Sequence, residues 1–253
     1  MTSSMSIAFA AMRALSQTIE RSDHDDWSRG SASNQGLFAP LLRTKLARTY
    51  LLAAIDLPGF GAPPLAGRTT LDRLAEFVDR EARRLSAKMV LAHSVASIIA
   101  SLAAQRAGSP INTIVSLEGN LTADDAYFSG TAGGFDDPGE FRAAFLARLA
   151  ELAQADVNIS RYRAAVETAD ARALWQLGVD VQAFSAKQTP GVVLTRTPRA
   201  AYFYNPDNLS AASLVWLETS SLNRTWLPGA SHWICFDQPD LLAGHILAGL
   251  ATA

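Results

Sequence analysis

An α/β fold, with a mostly parallel sheet flanked by helices, is what the sequence predicts, and three observations carry the prediction. Short apolar runs alternate with longer stretches of helical periodicity, the pattern of strand–helix–strand units. The runs end at Pro, Gly or small polar clusters, as strands entering loops do. The chain has 253 residues, 49% of them hydrophobic, enough to bury a sizeable core in one domain with room for an insertion.

The first thirty residues carry the weakest pattern. Ile7, Met12, Leu15 and Ile19 recur at roughly helical spacing, and residues 21–29 are polar. Residues 1–28 are therefore expected to supply no central apolar strand, so that the N-terminal strands are reduced. Residues 7–15 are interrupted by Arg13 and preceded by no basic stretch, so they read as helix or strand and not as a signal peptide.

From Tyr50 the pattern sharpens. Residues 50–55 form an apolar run ending in Asp56-Leu57-Pro58-Gly59-Phe60-Gly61, a buried strand entering a loop. Apolar residues at 71, 74, 75, 78, 82 and 85 make one helical stripe. Residues 89–92 read as a strand, followed by His93-Ser94 and a nearly unbroken small and apolar helix over 95–104. Residues 111–117 are a third strand, closing at Glu118-Gly119-Asn120.

Between 122 and 195 the character changes. Asp137-Pro138 is a helix start with Pro at the first helical position. Phe141, Phe145, Leu149 and Leu152 give that helix an apolar face, and 161–177 is a second helix with Gly178 as its stop. A strand is expected at 192–194, then others at 200–204 and 224–227, and a closing helix over 239–250. The implied division is a core of residues 1–121 and 196–253 with an inserted helical cap at 122–195.

Composition narrows the function classes. The formal net charge is −2 with no long run of one sign, which argues against a nucleic-acid partner, since phosphate binding needs a concentrated basic face. Cys235 is the only cysteine, so no intramolecular disulfide can form; a reducing, cytoplasmic setting is the expectation. No apolar run is long enough to span a bilayer.

Two local patterns carry chemistry. Leu91-Ala92-His93-Ser94-Val95-Ala96 lies between a strand and a helix. A serine on that turn projects its hydroxyl over the sheet edge, and the N–H groups that follow it can stabilise an oxyanion. The crowded turn requires small neighbours, supplied by Ala92 and Ala96. Taken alone, the same residues fit a serine capping an apolar helix. Gly229-Ala230-Ser231-His232-Trp233 follows the last short strand, about 140 residues after Ser94. Of the four histidines, His24 lies in a polar stretch, His245 in the final helix, and His93 is expected to point away from its neighbouring serine. His232 alone occupies a loop from which a base can return to the sheet edge.

Together with Asp56-Leu57-Pro58-Gly59-Phe60-Gly61, and in this order and spacing, these patterns resemble the α/β-hydrolase superfamily over about residues 30–253. The resemblance implies a parallel-sheet core with a helical cap, Ser94 as nucleophile, His232 as general base, and no metal or organic cofactor. The usual glycines two positions before and after the serine are alanines here. Family members most often place the triad acid after the strand that follows the cap, where Asp207 stands, and some place it one strand earlier, where Glu118 stands. Asp207 also fits a plain turn, and Glu118 a paired structural carboxylate. A charge ending an apolar strand is costly without a partner, which favours Glu118.

The family's oxyanion loop corresponds to Arg29-Gly30-Ser31-Ala32, with Arg29 where a histidine is usual. The expected donors are the N–H of Val95 with one from Gly30 or Ser31. The expected reaction is hydrolysis of an ester or related acyl bond of a small, partly apolar molecule. Tyr127, Phe128, Trp175 and Trp233 are candidates to line its pocket, or else belong to the core. The altered Arg29 region keeps a non-catalytic binding protein of the same fold open as the alternative.

Overall fold

The computed structural model of the chain describes residues 6–11, 38–126 and 129–251. Its strands are β1 (Ser6–Ala11), β2 (Leu51–Pro58), β3 (Gly61–Ala62), β4 (Met89–His93), β5 (Thr113–Leu117), β6 (Arg199–Tyr204) and β7 (Asn223–Trp226). They form one sheet in the order β3-β2-β1-β4-β5-β6-β7. Strands β4 to β7 run parallel to one another, and β1 runs antiparallel to both of its neighbours.

Among the described residues the helices are α1 (Leu46–Thr49), α2 (Leu71–Leu85), α3 (Ala96–Ala104), α4 (Pro138–Leu152), α5 (Val157–Thr168), α6 (Ala171–Lys187), α7 (Pro190–Thr195), α8 (Ala211–Thr219), α9 (Ile234–Asp237) and α10 (Pro239–Ala251). The period-two alternation of the central strands feeds two separate cores. Val90, Ala92, Ile114 and Tyr202 face Leu74, Val78, Ile98 and Ile99 of α2 and α3. Leu91, Val115, Leu117 and Phe203 face Phe38, Leu41, Leu46, Trp233 and Ile246 on the other side. Burial on both faces explains why these strands read as unbroken apolar runs.

Local chemistry sets the helix boundaries. Thr70 caps α2 by accepting from the Arg73 N–H, and the helix ends at Ser86 in a left-handed conformation. Asp137 caps α4 by accepting from the Glu140 N–H at 2.9 Å, with Pro138 at the first helical position.

The structure corrects four expectations. First, Ser6–Ala11 is a strand inside the sheet, with Ile7 opposite Ile55 on one side and Ala92 on the other. The large–small alternation Ile7-Ala8-Phe9-Ala10 has period two, and the helical spacing of Ile7, Met12, Leu15 and Ile19 masked it. Second, the helix expected over 161–177 is two, broken at Ala169; Asp170 starts the next by accepting from the Ala173 N–H. Third, Gly178 does not stop α6, which continues to Lys187. Gly178 and Val181 are both buried, so packing outweighs the modest helix cost of one glycine, about 1 kcal/mol. Fourth, 192–194 is not a strand but part of α7, which begins with Pro190 at its first position. Three apolar residues fit either element, and the Thr189-Pro190 start decides for helix.

Helix α6 stands against the loop that leaves β2 and against the start of α2. Its Gln176 Oε1 accepts from the Thr69 N–H at 2.7 Å, and Asp180 Oδ2 accepts from the Leu71 N–H at 2.8 Å, capping α2 from outside. The Asp170 N–H donates to the Gly59 carbonyl at 2.9 Å. Gly59 has φ of +85°, and a Cβ there would lie 2.4 Å from that of Ala173, so both conformation and close approach demand glycine. Helix α7 instead packs on α3, where Gln105 Nε2 donates to the Val193 carbonyl at 3.0 Å.

Candidate active site

Parallel strands bring their C-terminal ends to one edge, which is where ligands bind in such sheets. At that edge β4 exits into Ser94, β5 into Glu118, β6 into Asn205, and β7 into the loop that carries His232. Each exit is pinned to the next strand. The Ser94 N–H donates to the Leu117 carbonyl at 3.0 Å, the Glu118 N–H to the Phe203 carbonyl at 2.9 Å, and the Leu227 N–H to the Tyr204 carbonyl at 2.7 Å. The hydrogen-bond ladder thus continues one step beyond the strands and fixes the exit residues relative to one another.

Ser94 has φ of +55° and Glu118 φ of +43°, both left-handed. Such a conformation costs a non-glycine residue on the order of 1 kcal/mol or more. At Ser94 the bend turns the chain sharply from β4 into α3. The Ser97 N–H donates to the Ser94 carbonyl at 2.9 Å and the Ile98 N–H to that of Val95 at 3.0 Å, so the helix starts directly behind the serine. Ala92 and Ala96 are fully buried in this bend. At Glu118 the turn is closed by Gly119, where a Cβ would lie 2.2 Å from Ser97 Oγ and 2.4 Å from Ser116 Oγ.

Glu118 and His232 meet in the interior, their side chains 4% and 9% exposed. His232 Nδ1 lies 2.6 Å from Glu118 Oε2. Glu118 Oε1 accepts from the Asn205 backbone N–H and from Asn208 Nδ2, both at 2.9 Å. His232 Nε2 is buried and makes no hydrogen bond among the described residues. The Ser94–His232 hydrogen bond is thus not formed in this conformation; such contacts commonly tighten only when substrate is bound.

The histidine loop is braced from several sides. The Ala230 N–H closes a turn onto the Leu227 carbonyl, with Gly229 at φ of +68°. Ser231 Oγ donates to Asp237 and accepts from the Trp233 N–H. His93 faces the histidine loop. It is buried, its Nε2 lies 2.7 Å from the His232 carbonyl oxygen, and the two ring centroids are 4.4 Å apart. A carbonyl only accepts, so His93 carries its proton on Nε2 and donates.

The other expected site residues fall as follows. Asp207 is exposed in a 3-10 turn, Pro206–Asn208, and its N–H lies 3.4 Å from Asn205 Oδ1. It does not cap α8, whose cap is Ser210. Val95 stands at the start of α3, next to Ser94. Trp233 is 1% exposed and packs on His93, His232 and Tyr162. Trp175 directs its indole N–H to the Ala132 and Phe135 carbonyls at 3.1 and 2.9 Å. Gly30, Ser31, Tyr127 and Phe128 lie outside the described residues.

Sequence reasoning missed His93, Asn205 and Asn208. The signal for the asparagines was the buried carboxylate itself: Glu118 needs donors, and the exit of the adjacent strand is where they had to stand.

Tyr202 supports the site from below, its hydroxyl donating to the Gly119 carbonyl at 2.8 Å. Burial chiefly, with added repulsion from Asp125 and Glu118, keeps this phenol neutral far above its usual range. Burial likewise pushes the Cys235 thiol up to about 12. The thiolate is the reactive form, so Cys235 is inert at neutral pH. A disulfide-exchange reagent at pH 8 should therefore titrate no Cys235 thiol in the folded protein and one after denaturation; rapid reaction in the native state would contradict the burial. Among the described residues no helix is long and apolar enough to cross a membrane, and no group of three His, Cys, Asp or Glu side chains is placed to hold a metal ion.

A family model described as alpha/beta hydrolase matches residues 21–245, most of the chain. The chain belongs to the alpha/beta hydrolase family. Comparison with curated proteins finds no match. Solved structures of this family's fold superpose well. An esterase from Thermogutta terrifontis shares 13% identity at a TM-score of 0.64, over 88% of this chain and 87% of that one. A hydrolase from Oleispira antarctica shares 15% at a TM-score of 0.66, over 88% and 89%. AqDC, described as recognising the Pseudomonas quinolone signal and cleaving its ring, shares 14% at a TM-score of 0.66, over 88% and 89%. At these identities the likeness establishes the alpha/beta hydrolase fold and leaves the substrate to the site.

Proposed function

We propose that this alpha/beta hydrolase cleaves an ester or related acyl bond of a small, partly apolar molecule through an acyl-enzyme on Ser94. The observation that carries the reading is the buried Glu118–His232 pair at 2.6 Å, at the edge where β4 delivers Ser94. Ser94 Oγ attacks the acyl carbon while His232 Nε2 takes its proton. Glu118 holds Nδ1–H and stabilises the imidazolium that forms. The Val95 N–H, with one from Gly30 or Ser31, receives the oxyanion. The imidazolium then protonates the leaving alkoxide, and water repeats the sequence in reverse to release the acid. Tyr127, Phe128 and Trp175 are assigned to the acyl pocket, Trp233, buried in the core, to packing behind His232, and residues 122–195 to the cap around the pocket. No cofactor is required by this sequence of steps.

The test is labelling with a fluorophosphonate, together with a panel of p-nitrophenyl esters of rising chain length. Labelling of the wild type that is lost in Ser94→Ala, with hydrolysis of short to medium esters, is the expected result. Folded wild-type protein that neither labels nor hydrolyses would instead make this chain a binding protein on the alpha/beta hydrolase fold.

A further inference from the structure

The loop 205–208 occupies the strand exit next to Glu118, yet its own carboxylate, Asp207, faces solvent. What the loop turns inward are two asparagines. Asn208 Nδ2 donates to Glu118 Oε1 at 2.9 Å and to the Ala230 carbonyl at 3.0 Å. Asn205 donates its backbone N–H to the same Oε1 at 2.9 Å and its Nδ2 to the same Ala230 carbonyl at 2.8 Å. Both partners of the Asn208 amide are acceptors, so only the NH2 end can face them, and the orientation of the side chain is decided by chemistry.

We infer that Asn208 is a positioning residue for the Glu118–His232 pair, a single amide that joins the carboxylate to the histidine's own loop. The inference rests on the hydrolase reading above. Glu118 is almost wholly removed from water, and a buried carboxylate needs donors at both oxygens to hold one orientation. Oε2 is committed to His232 Nδ1. Oε1 has two donors, one from backbone and one from Asn208. Ala230 lies two residues before His232, so the second hydrogen of the same amide fixes the loop that presents the imidazole. Asn208 touches no reacting atom; it acts by setting the distance and angle between acid and base, and its contribution belongs to kcat.

The experiment compares Asn208→Ala and Asn208→Asp with the wild type in ester hydrolysis, each also in a Glu118→Gln background. Loss of a hydrogen bond to a charged group predicts a fall in kcat of roughly 10- to 100-fold for Asn208→Ala, with KM changed by less than about two-fold. In the Glu118→Gln background the same substitution should cost less than about two-fold, because the negative charge that Asn208 holds in place is gone. Asn208→Asp keeps the shape but sets a second carboxylate against Glu118. Its rate relative to wild type should rise as pH falls from about 8 to about 5, because the introduced carboxyl then takes a proton and donates it.

Equal losses in both backgrounds, no loss at all, or a flat Asn208→Asp ratio across pH would each overturn the inference. Should Asn208→Ala fail to fold, the isosteric Asn208→Asp ratio decides alone. A wild type that neither hydrolyses esters nor labels at Ser94 overturns the hydrolase reading and this inference with it. An active wild type with unaffected Asn208 variants overturns only the inference.

Discussion

Ser94→Ala is expected to lower kcat/KM for a cleavable ester by roughly 10⁴- to 10⁶-fold while leaving the melting temperature nearly unchanged. The size follows from the proposed role. Without Oγ no acyl-enzyme can form, and what remains is the contribution of binding and oxyanion stabilisation to direct attack by water. The small structural cost follows from the site. The Ser94 N–H bond to the Leu117 carbonyl belongs to the backbone and survives the substitution, as does the bend into α3. His232→Ala should produce a loss of the same order, because nucleophile and base act as a unit. Steady-state rates on the best ester of the panel check both; hydrolysis by purified Ser94→Ala at the wild-type rate would defeat the mechanism.

Glu118→Gln is expected to lower kcat by roughly 10³- to 10⁴-fold, with Asp207→Asn within about two-fold of wild type. The neutral amide retains the shape of Glu118 but presents no negative charge to the imidazolium, and its NH2 group can meet Nδ1 only by forcing the wrong tautomer. Asp207 is exposed in its turn, and its hydrogen bond to Asn205 Oδ1 runs from its backbone N–H, not its carboxylate. Rates of the two variants, with circular dichroism to establish that both fold, separate the assignments. A crippled Asp207→Asn beside an active Glu118→Gln would reverse them.

Much of the core was legible because burial on both faces writes itself as composition. The α2 stripe from Leu71 to Leu85 matches the helix to the residue, and the runs at 89–92, 111–117 and 200–204 each became a strand. The neighbourhood of Glu118 and Ser94 could be argued too, since sequential parallel strands tend to lie side by side. What could not be read were the places where one local pattern serves two elements. Ile7 to Ala11 fits strand and helix alike, and Val192 to Leu194 gives no period at all. At Gly178 a local stop signal was overridden by packing that only the folded chain supplies. The roles of His93 and Asn208 lie in contacts spanning 139 and 90 positions along the chain, and no local pattern encodes such a distance.

The left-handed residues have a consequence for how this sequence can change. Three non-glycine residues among those described have positive φ. Ser86 sits at the end of α2, where helix termination gives an ordinary reason for it. Ser94 and Glu118 have no such reason, and at each glycine would suit the backbone better. At Glu118 the side chain offsets that strain, since its removal would leave His232, Asn205 and Asn208 without a buried acceptor, whereas at Ser94 relaxing the bend would tend to make the molecule more stable. A protein chosen only for endurance would be drawn toward glycine at Ser94 and would keep the carboxylate at Glu118. On the proposed mechanism the Ser94 side chain is therefore held against the slope of stability, and that strand exit is where a stabilising library is most apt to discard activity.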